Sequence, residues 1–219
     1  MLVIFDLDGT LLNTIADLAA ATNYALEKTG LPTHAPEAYP YFVGNGVRRL
    51  LERVLPEDAR TETNIDTMMA HFRAYYESHM ADLTVPYPGI VDLLHSLREN
   101  EISIAVASNK YQLAVERLIH HFFPSVEWAA IEGQKEGVPV KPDPSIVFEI
   151  LSKCPTPKAN VLYVGDSGVD MDTAHRAGVT WGFRPVYELN EHFADHIAHR
   201  PDSILEMAMD IRKNSVRNK

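Results

Sequence analysis

Two hydrophobic patterns divide the chain. Residues 2–5 and 161–164 are continuous apolar runs, as expected of short strands buried on both faces of a parallel sheet. Between residues 13 and 83, apolar side chains instead recur every three or four positions, which is typical of helices that bury one face. This pattern predicts three helices, at residues 15–26, 48–55 and 64–80.

From Ile90 onward, helical and strand patterns alternate. The expected elements are helix 90–100, strand 102–107, helix 112–122, a strand near 126–131, helix 144–151, strand 161–164, helix 170–177 and strand 180–183. Such alternation predicts a parallel sheet covered by helices on both faces. We therefore predict an α/β fold with a doubly wound parallel sheet, whose core (residues 1–12 and 84–219) receives an all-helical cap (residues 13–83) after its first strand.

Composition narrows the function classes. The 219 residues carry a formal net charge of −10, which argues against nucleic acid and against an anionic membrane surface as partners. The single cysteine, Cys154, excludes an internal disulfide, and no apolar run approaches the length of a membrane span. We expect a cytoplasmic protein. A small phosphorylated substrate stays compatible with the acidic charge, because a bound divalent cation can reverse the local field.

Two carboxylates, Asp6 and Asp8, directly follow the first strand. The carboxyl ends of parallel strands are where ligands bind, and at this spacing one carboxylate can attack a substrate while the other transfers a proton. The residues alone do not decide which aspartate attacks. A solvated turn after an edge strand is the alternative interpretation.

A hydroxyl and a lysine follow in the same kind of position. Ser108 and Asn109 come after strand 102–107 and before a helix, where backbone N–H groups can hold a phosphate, although Ser108 could simply cap that helix. Lys141 directly precedes Pro142, and Pro142 and Pro144 stiffen the loop that presents its ammonium, which is suited to pair with a phosphoryl oxygen. We expect Asp143 to cap the next helix and Pro144 to be its first residue.

Asp166 and Asp170 follow strand 161–164. Carboxylate oxygens suit Mg²⁺ and do not suit zinc, so Asp6, Asp8 and Asp166 are the candidate ligands of one hard cation. Asp170, at the start of a helix, is better placed to orient other groups. Two further patterns do not indicate a site. Gly165–Gly168 is similar to the nucleophile motif of a serine protease, but the sequence lacks the all-β pattern of that fold. The histidines at 192, 196 and 199 have the spacing of metal ligands on a helix, but we expect them to be solvated.

Taken in order, these segments resemble the four motifs of the haloacid dehalogenase superfamily: 6–10, 108–109, 141–144 and 165–170. The resemblance implies phosphoryl transfer, in which Asp6 attacks phosphorus and Asp8 protonates the leaving alcohol and then activates water. It also implies that Ser108, the Asn109 backbone and Lys141 hold the phosphoryl group. Mg²⁺ would bind the Asp6 carboxylate, the Asp8 backbone carbonyl and Asp166. Thr10 and Asp170 would orient these groups.

Within that superfamily the residues discriminate further. Asp8 favours phosphorus chemistry, because the dehalogenases lack a second aspartate. Phosphonate cleavage would require a cap lysine that forms a Schiff base, and the sequence has no lysine between Lys28 and Lys110. Gly44, Asn45 and Gly46 in the cap look like those of phosphoglycolate phosphatases and are tentative specificity residues, which makes 2-phosphoglycolate the expected substrate. A sugar-phosphate mutase and a catalytically silent binding protein are the alternatives, and the oligomeric state is left open.

Overall fold

The computed structural model describes residues 1–44, 46–183, 196–198 and 200–217. The chain forms two compact units, one of residues 1–12 and 86–219 and one of residues 13–85. The second unit differs from the predicted cap segment only at residues 84 and 85. In the part of the chain that is described, no helix is both long enough and apolar enough to cross a membrane.

The secondary structure follows the two sequence patterns. Its elements are β1 (Leu2–Phe5), β2 (Leu12–Asn13), α1 (Ile15–Lys28), α2 (Gly46–Val54), α3 (Glu62–His79), β3 (Val85–Pro86), α4 (Ile90–Glu99), β4 (Ser103–Tyr111), α5 (Gln112–Phe122), β5 (Ala130–Gln134), α6 (Ser145–Lys153), β6 (Val161–Gly165), α7 (Gly168–Ala177), β7 (Thr180–Phe183), β8 (His196–Ile197) and α8 (Pro201–Arg217). Short 3₁₀ helices lie at Pro36–Tyr41, Glu57–Ala59 and Lys158–Asn160.

The first unit is built on a parallel sheet of six strands within the described residues, in the order β5-β4-β1-β6-β7-β8. β1 lies in the middle, with Leu2 paired to Ser103 on one side and to Val161 on the other. Strands added later in the chain therefore extend the sheet in both directions from β1. The predicted doubly wound parallel fold is confirmed. The strand order reverses at β1, so the topological switch point, where such folds bind ligands, lies at the carboxyl end of β1.

Both faces of this sheet are buried, which explains the uninterrupted apolar runs. Leu2 and Ile4 are fully buried and belong to a cluster of buried side chains that includes residues of α6 and α7. Val3 and Phe5 alternate to the opposite face and are equally inaccessible to water. A strand that is covered on both faces has no position for a polar residue until it ends, and β1 ends at Asp6.

The structure corrects four details of the sequence interpretation. The strand expected near 126–131 begins at Ala130, and the strand expected to end at 107 continues to Tyr111. The helix expected to begin at Pro144 with Asp143 as its N-cap begins at Ser145, so Pro144 is the N-cap residue. The Asp143 carboxylate still accepts hydrogen bonds from the amide and the hydroxyl of Ser145. Tyr111 precedes the following helix, so Ser108 is not its N-cap.

Among the described residues between 14 and 84, the second unit contains helices and loops but no strand, and α1 packs against α3. A buried carboxylate ties its two ends together. Asp17, on α1, accepts hydrogen bonds from the Leu83 amide (3.0 Å), the Thr84 amide (2.8 Å) and the Thr84 hydroxyl (2.7 Å). Three donors that would otherwise be poorly satisfied thus converge on one side chain that is 2% exposed.

We expect Asp17→Asn to lower the free energy of unfolding by about 2 kcal/mol, because an amide offers fewer acceptor sites to the donors and introduces an N–H group among them. Chemical denaturation followed by circular dichroism measures this. Asp66→Asn is the matched control, since Asp66 is 73% exposed and only 3.6 Å from Arg48, and it should cost less than about 0.5 kcal/mol. Equal losses in the two variants would contradict the role given to Asp17.

Candidate active site

The polar residues at the strand ends converge at one edge of the sheet. Asp6 directly follows β1, Asp166 directly follows β6, and Ser108 lies near the end of β4, which is adjacent to β1 on the other side. The Asp6 amide donates to the carbonyl of Val164 at 2.9 Å, so the ladder between β1 and β6 continues to the site itself. The strand order therefore brings together residues that are far apart in the sequence.

Lys141 is the centre of this cluster. Its Nζ lies 2.9 Å from Asp6 Oδ1, 2.6 Å from Asp170 Oδ1, 2.9 Å from the carbonyl oxygen of Ala107 and 3.2 Å from the hydroxyl of Tyr163. The lysine side chain is only 2% exposed. Burial alone would lower the pKa of the ammonium, but Asp170 and Asp6 together raise that pKa well above its usual value. Lys141 is thus a permanent buried cation.

Two carboxyl groups beside Lys141 hold their protons unusually tightly. Burial, followed by repulsion from Asp170, raises the pKa of Asp6 well above its usual value, and the attraction of Lys141 does not cancel this. The same two causes raise the pKa of Asp166 to about 7. The cluster therefore contains more negative charge than Lys141 compensates, which is the condition under which a further cation binds favourably.

Asp170 is held by four hydrogen bonds. Its Oδ1 accepts from Lys141 and, at 3.2 Å, from the Tyr163 hydroxyl, while its Oδ2 accepts from the amide (3.2 Å) and the hydroxyl (2.6 Å) of Ser167. The contacts with Ser167 form a capping box at the start of α7. Both carboxylate oxygens are thereby engaged, so Asp170 fixes the position of Lys141.

Among the described residues, one oxygen atom each of Asp6, Asp166 and Asp170 lies within 4.8 Å of the others. All three are carboxylates, the donor type that Mg²⁺ prefers. Since the oxygens of Asp170 are already engaged, Asp6 and Asp166 are the members of the group better suited to hold a cation. The predicted ligand Asp8 is not part of this carboxylate group.

A tight turn brings Asp166 against the segment after β1. Gly9 has φ of +85°, and a Cβ there would lie 2.1 Å from Asp166 Oδ2, so this position requires glycine. The Thr10 hydroxyl donates to Asp166 Oδ1 at 3.3 Å. Asp8, on the same turn, pairs through Oδ1 with Nζ of Lys110 at 3.1 Å. Residues 6–10 therefore supply two carboxylates, a glycine that lets Asp166 approach the backbone, and a hydroxyl that donates a hydrogen bond to Asp166.

The end of β4 is a bulge. Ala107 pairs with Glu132 and Tyr111 pairs with Gln134, so that three residues of β4 lie opposite one residue of β5, Gly133. Bulges bend a strand and redirect its side chains, and they recur beside active sites. The predicted phosphate-binding residues Ser108 and Asn109 lie in this bulge, which corrects their expected place at a helix N-terminus.

Within the bulge, the Asn109 side chain has a structural partner. Its amide donates to the carbonyl of Lys141 at 3.1 Å and its oxygen accepts from the Lys141 amide at 2.8 Å. The Ser108 hydroxyl accepts from the amide of Lys110 at 3.2 Å. Asn109 therefore positions the loop that carries Lys141, and only its backbone is left as a candidate contact to phosphate.

Sequence reasoning missed two residues of this site, Lys110 and Tyr163. Both are buried, and both contact a carboxylate or the central ammonium. For Tyr163 a signal was available, since its hydroxyl lies within the otherwise apolar strand 161–164 and a buried hydroxyl needs a partner. Lys110 gave no such signal, because it follows the predicted end of its strand at residue 107.

The tentative specificity residues belong to the second unit. Gly44 has φ of +125°, and Gly46, with φ of +81°, is the first residue of α2. Asn45, His192, His199 and the side chain of His196 lie outside the described part of the chain. The role of Gly44 and Gly46 in specificity stays a prediction.

Comparison with known proteins gives consistent matches over almost the whole chain. Residues 3–182 match the family model described as haloacid dehalogenase-like hydrolase. A phosphoglycolate phosphatase from Pseudomonas syringae pv. tomato is 33% identical over 205 residues, which cover 86% of this chain and 74% of that protein. Another from Aquifex aeolicus is 30% identical over 210 residues, which cover 94% of this chain and 95% of that protein.

The fold is shared with solved structures. The crystal structure of a protein from Lactobacillus delbrueckii subsp. bulgaricus, proposed to be a phosphoglycolate phosphatase, superimposes with a TM-score of 0.87. The two sequences are 30% identical, and the match covers 94% of this chain and 97% of that one. The likeness therefore extends over nearly the whole length of both chains.

The raised pKa of Asp166 predicts a pH-dependent stability. Between the pKa of an unfolded aspartate, about 4, and the folded value of about 7, the folded protein keeps a proton that the unfolded chain has lost. This stabilisation is complete below the lower value and disappears as the pH rises through the upper one. Without divalent cations, we expect the melting temperature to fall more between about pH 5.5 and about pH 8 in the wild-type protein than in Asp166→Asn.

Thermal unfolding in the presence of EDTA measures both slopes. Asp172→Asn, which changes an exposed carboxylate on the helix that follows Asp166, α7, is the matched control and should follow the wild-type protein. Parallel pH dependence of the wild-type protein and Asp166→Asn would show that Asp166 titrates normally.

Proposed function

The chain belongs to the haloacid dehalogenase-like hydrolase family, and we propose that it is a Mg²⁺-dependent phosphatase of a small phosphorylated metabolite. The proposed reaction passes through an aspartyl-phosphate intermediate, and the proposed preferred substrate is 2-phosphoglycolate. The observation that carries the proposal is the buried pair of Asp6 and Lys141, which is 2.9 Å long and adjacent to Asp166. A carboxylate held in this way by a permanent cation is oriented for attack and needs little reorganisation.

In the proposed first step, a carboxylate oxygen of Asp6 attacks phosphorus and the bond to the ester oxygen breaks. Asp8 donates a proton to that oxygen, so the product leaves as a neutral alcohol. In the second step, Asp8 removes a proton from water, the water oxygen attacks phosphorus, and the Asp6 carboxylate is released together with inorganic phosphate. Each step conserves charge, and the same side chain serves as acid and then as base.

The donor set fits Mg²⁺. Four carboxylates, of Asp6, Asp8, Asp166 and Asp170, face two ammonium groups, of Lys110 and Lys141, which leaves two formal negative charges. The Asp6 and Asp166 carboxylates and, by the family resemblance, the Asp8 backbone carbonyl would hold the ion. Bound Mg²⁺ would supply the positive charge that keeps Asp6 ionised and stabilises the phosphoryl oxygens.

Three groups near the end of β4 are suited to bind the phosphoryl group. Lys141 supplies the fixed positive charge, and the Asn109 backbone supplies an N–H donor. The oxygen of Ser108 already accepts a hydrogen bond, so its hydrogen can be directed to a phosphoryl oxygen. Transition-state charge on these oxygens is stabilised most effectively by donors that are fixed beforehand.

The choice of substrate follows the relatives. Both curated proteins described above are phosphoglycolate phosphatases of 30% identity or more, and each match covers most of both chains. The predicted cap residues at 44–46 support the same substrate from the sequence. A silent binding protein is disfavoured, because the residues of all four motifs are present and the Asp6–Lys141 pair is formed.

Phosphate release from a panel of phosphate esters tests the function. With Mg²⁺ present, we expect 2-phosphoglycolate to give the highest kcat/KM and inorganic phosphate to appear in amounts equal to the alcohol. Isomerised sugar phosphate without free phosphate would identify a mutase instead. Absence of turnover on every ester would reject the proposal.

Variants of the two leading aspartates test the mechanism. Asp6→Asn should abolish the covalent intermediate, because it removes the nucleophile. Asp8→Asn should lower turnover roughly 10²- to 10⁴-fold, because both steps need its proton transfer. With an aryl phosphate, whose leaving group needs no protonation, Asp8→Asn should accumulate phosphate on Asp6, visible as a mass increase after rapid quenching. Phosphate found on Asp8 in the Asp6→Asn protein would reverse the two roles.

A further inference from the structure

Lys110 is a second buried lysine in the site. Its side chain is 2% exposed, and its Nζ lies 3.1 Å from Oδ1 of Asp8, whose side chain is 19% exposed. An ammonium group that is withdrawn from water to this extent requires a charged or strongly polar partner. Its recorded ion pair is with the carboxylate to which the proposed mechanism assigns proton transfer.

The backbone that carries Lys110 is held in place on several sides. Its amide donates to the Ser108 hydroxyl at 3.2 Å. Opposite the bulge, a Cβ on Gly133 would lie 2.6 Å from the carbonyl oxygen of Lys110, so the two strands approach as closely as glycine permits. The Gln112 side chain accepts from the Gly133 amide at 2.6 Å and donates to the Ile131 carbonyl at 2.9 Å, which replaces ladder bonds that the bulge removes. The position of the lysine is therefore specified by the fold.

The two buried lysines have different partners. Lys141 pairs with Asp6 and Asp170, on the side of the proposed nucleophile. Lys110 pairs with Asp8, on the side of the proposed proton donor. Asp8 lies on the turn that includes Gly9 and is more exposed than Asp6, so its carboxylate has more freedom to rotate unless a partner restrains it.

We propose that Lys110 is a positioning residue that fixes the Asp8 carboxylate for proton transfer to and from the oxygen of the leaving alcohol. By holding Oδ1, the ammonium restricts the carboxylate to orientations in which Oδ2 is directed to the reacting atoms. Proton transfer requires a heavy-atom distance of roughly 2.6 to 3.2 Å, which a freely rotating carboxylate satisfies only part of the time. This inference rests on the proposed phosphatase function and adds a residue to its machinery.

A comparison of two leaving groups tests the proposal. In Lys110→Met and in the polar variant Lys110→Gln, single-turnover formation of the aspartyl phosphate is measured by rapid quench for 2-phosphoglycolate and for p-nitrophenyl phosphate. The alkyl ester needs protonation of its leaving oxygen, so its rate should fall roughly 10- to 100-fold, whereas the aryl ester should lose less than about threefold. The ratio of the two rates is obtained in one protein preparation, so partial loss of folded protein cancels.

A double-mutant cycle separates action through Asp8 from an independent effect. In the Asp8→Asn background, Lys110→Met should change the rate for 2-phosphoglycolate by less than about twofold, because the carboxylate that the lysine positions is already gone. Lys213→Met, which removes an exposed lysine 3.5 Å from Asp210, is the matched control and should leave both rates unchanged.

Any of the following results would overturn the proposal. Equal losses with both esters would mean that Lys110 acts on the phosphoryl group, and a raised KM with unchanged kcat would mean that it binds the substrate carboxylate. Fully additive losses in the cycle would separate Lys110 from Asp8. Failure of the wild-type protein to form an aspartyl phosphate from either ester would reject the phosphatase function and this inference with it. Normal wild-type turnover with an unchanged ratio in the variants would reject the inference alone.

Discussion

The buried ammonium of Lys141 is the interaction on which the site depends. It joins Asp6 at the end of β1, Asp170 at the start of α7 and the carbonyl of Ala107 in β4, so three separate segments meet at one atom. Removing an ion from water costs several kcal/mol, and here the cost is offset by two carboxylates and two further hydrogen bonds. The same contacts that hold the strands together also orient the proposed nucleophile.

Lys141 in turn depends on neighbours that have no direct role in chemistry. Asn109 binds both the amide and the carbonyl of Lys141, and the capping box of α7 holds Asp170. These supporting hydrogen bonds restrict the rotation of each charged group. The precision of the site therefore arises from ordinary backbone contacts at a bulge and a helix start.

The residues that sequence reasoning found have a common physical signature. Asp6 and Asp166 follow apolar strands that are buried on both faces, where a charge has no structural explanation, and Lys141 directly precedes Pro142. The alternation of strands and helices and the helical segment after β1 also followed from periodicity, because continuous and three-to-four patterns are easily distinguished.

Other features could not be predicted from the sequence, because they depend on contacts between residues that are distant in the chain. Lys110 reads as a surface residue until the bulge in β4 is known, and the bulge itself depends on Gly133 in the next strand. Asp17 reads as a favourable charge in the first turn of a helix, yet it binds residues 83 and 84. Local patterns carry no information about such pairings.

The central place of β1 has a consequence for biosynthesis. This apolar strand emerges from the ribosome first of the six, but its two neighbours begin at residues 103 and 161. The helical unit that follows β1 can form from contacts within its own sequence, whereas β1 must wait without a strand partner. Unpaired apolar strands are prone to associate with other chains, so the nascent protein is most exposed to aggregation, and most in need of chaperones, before β4 has been synthesised.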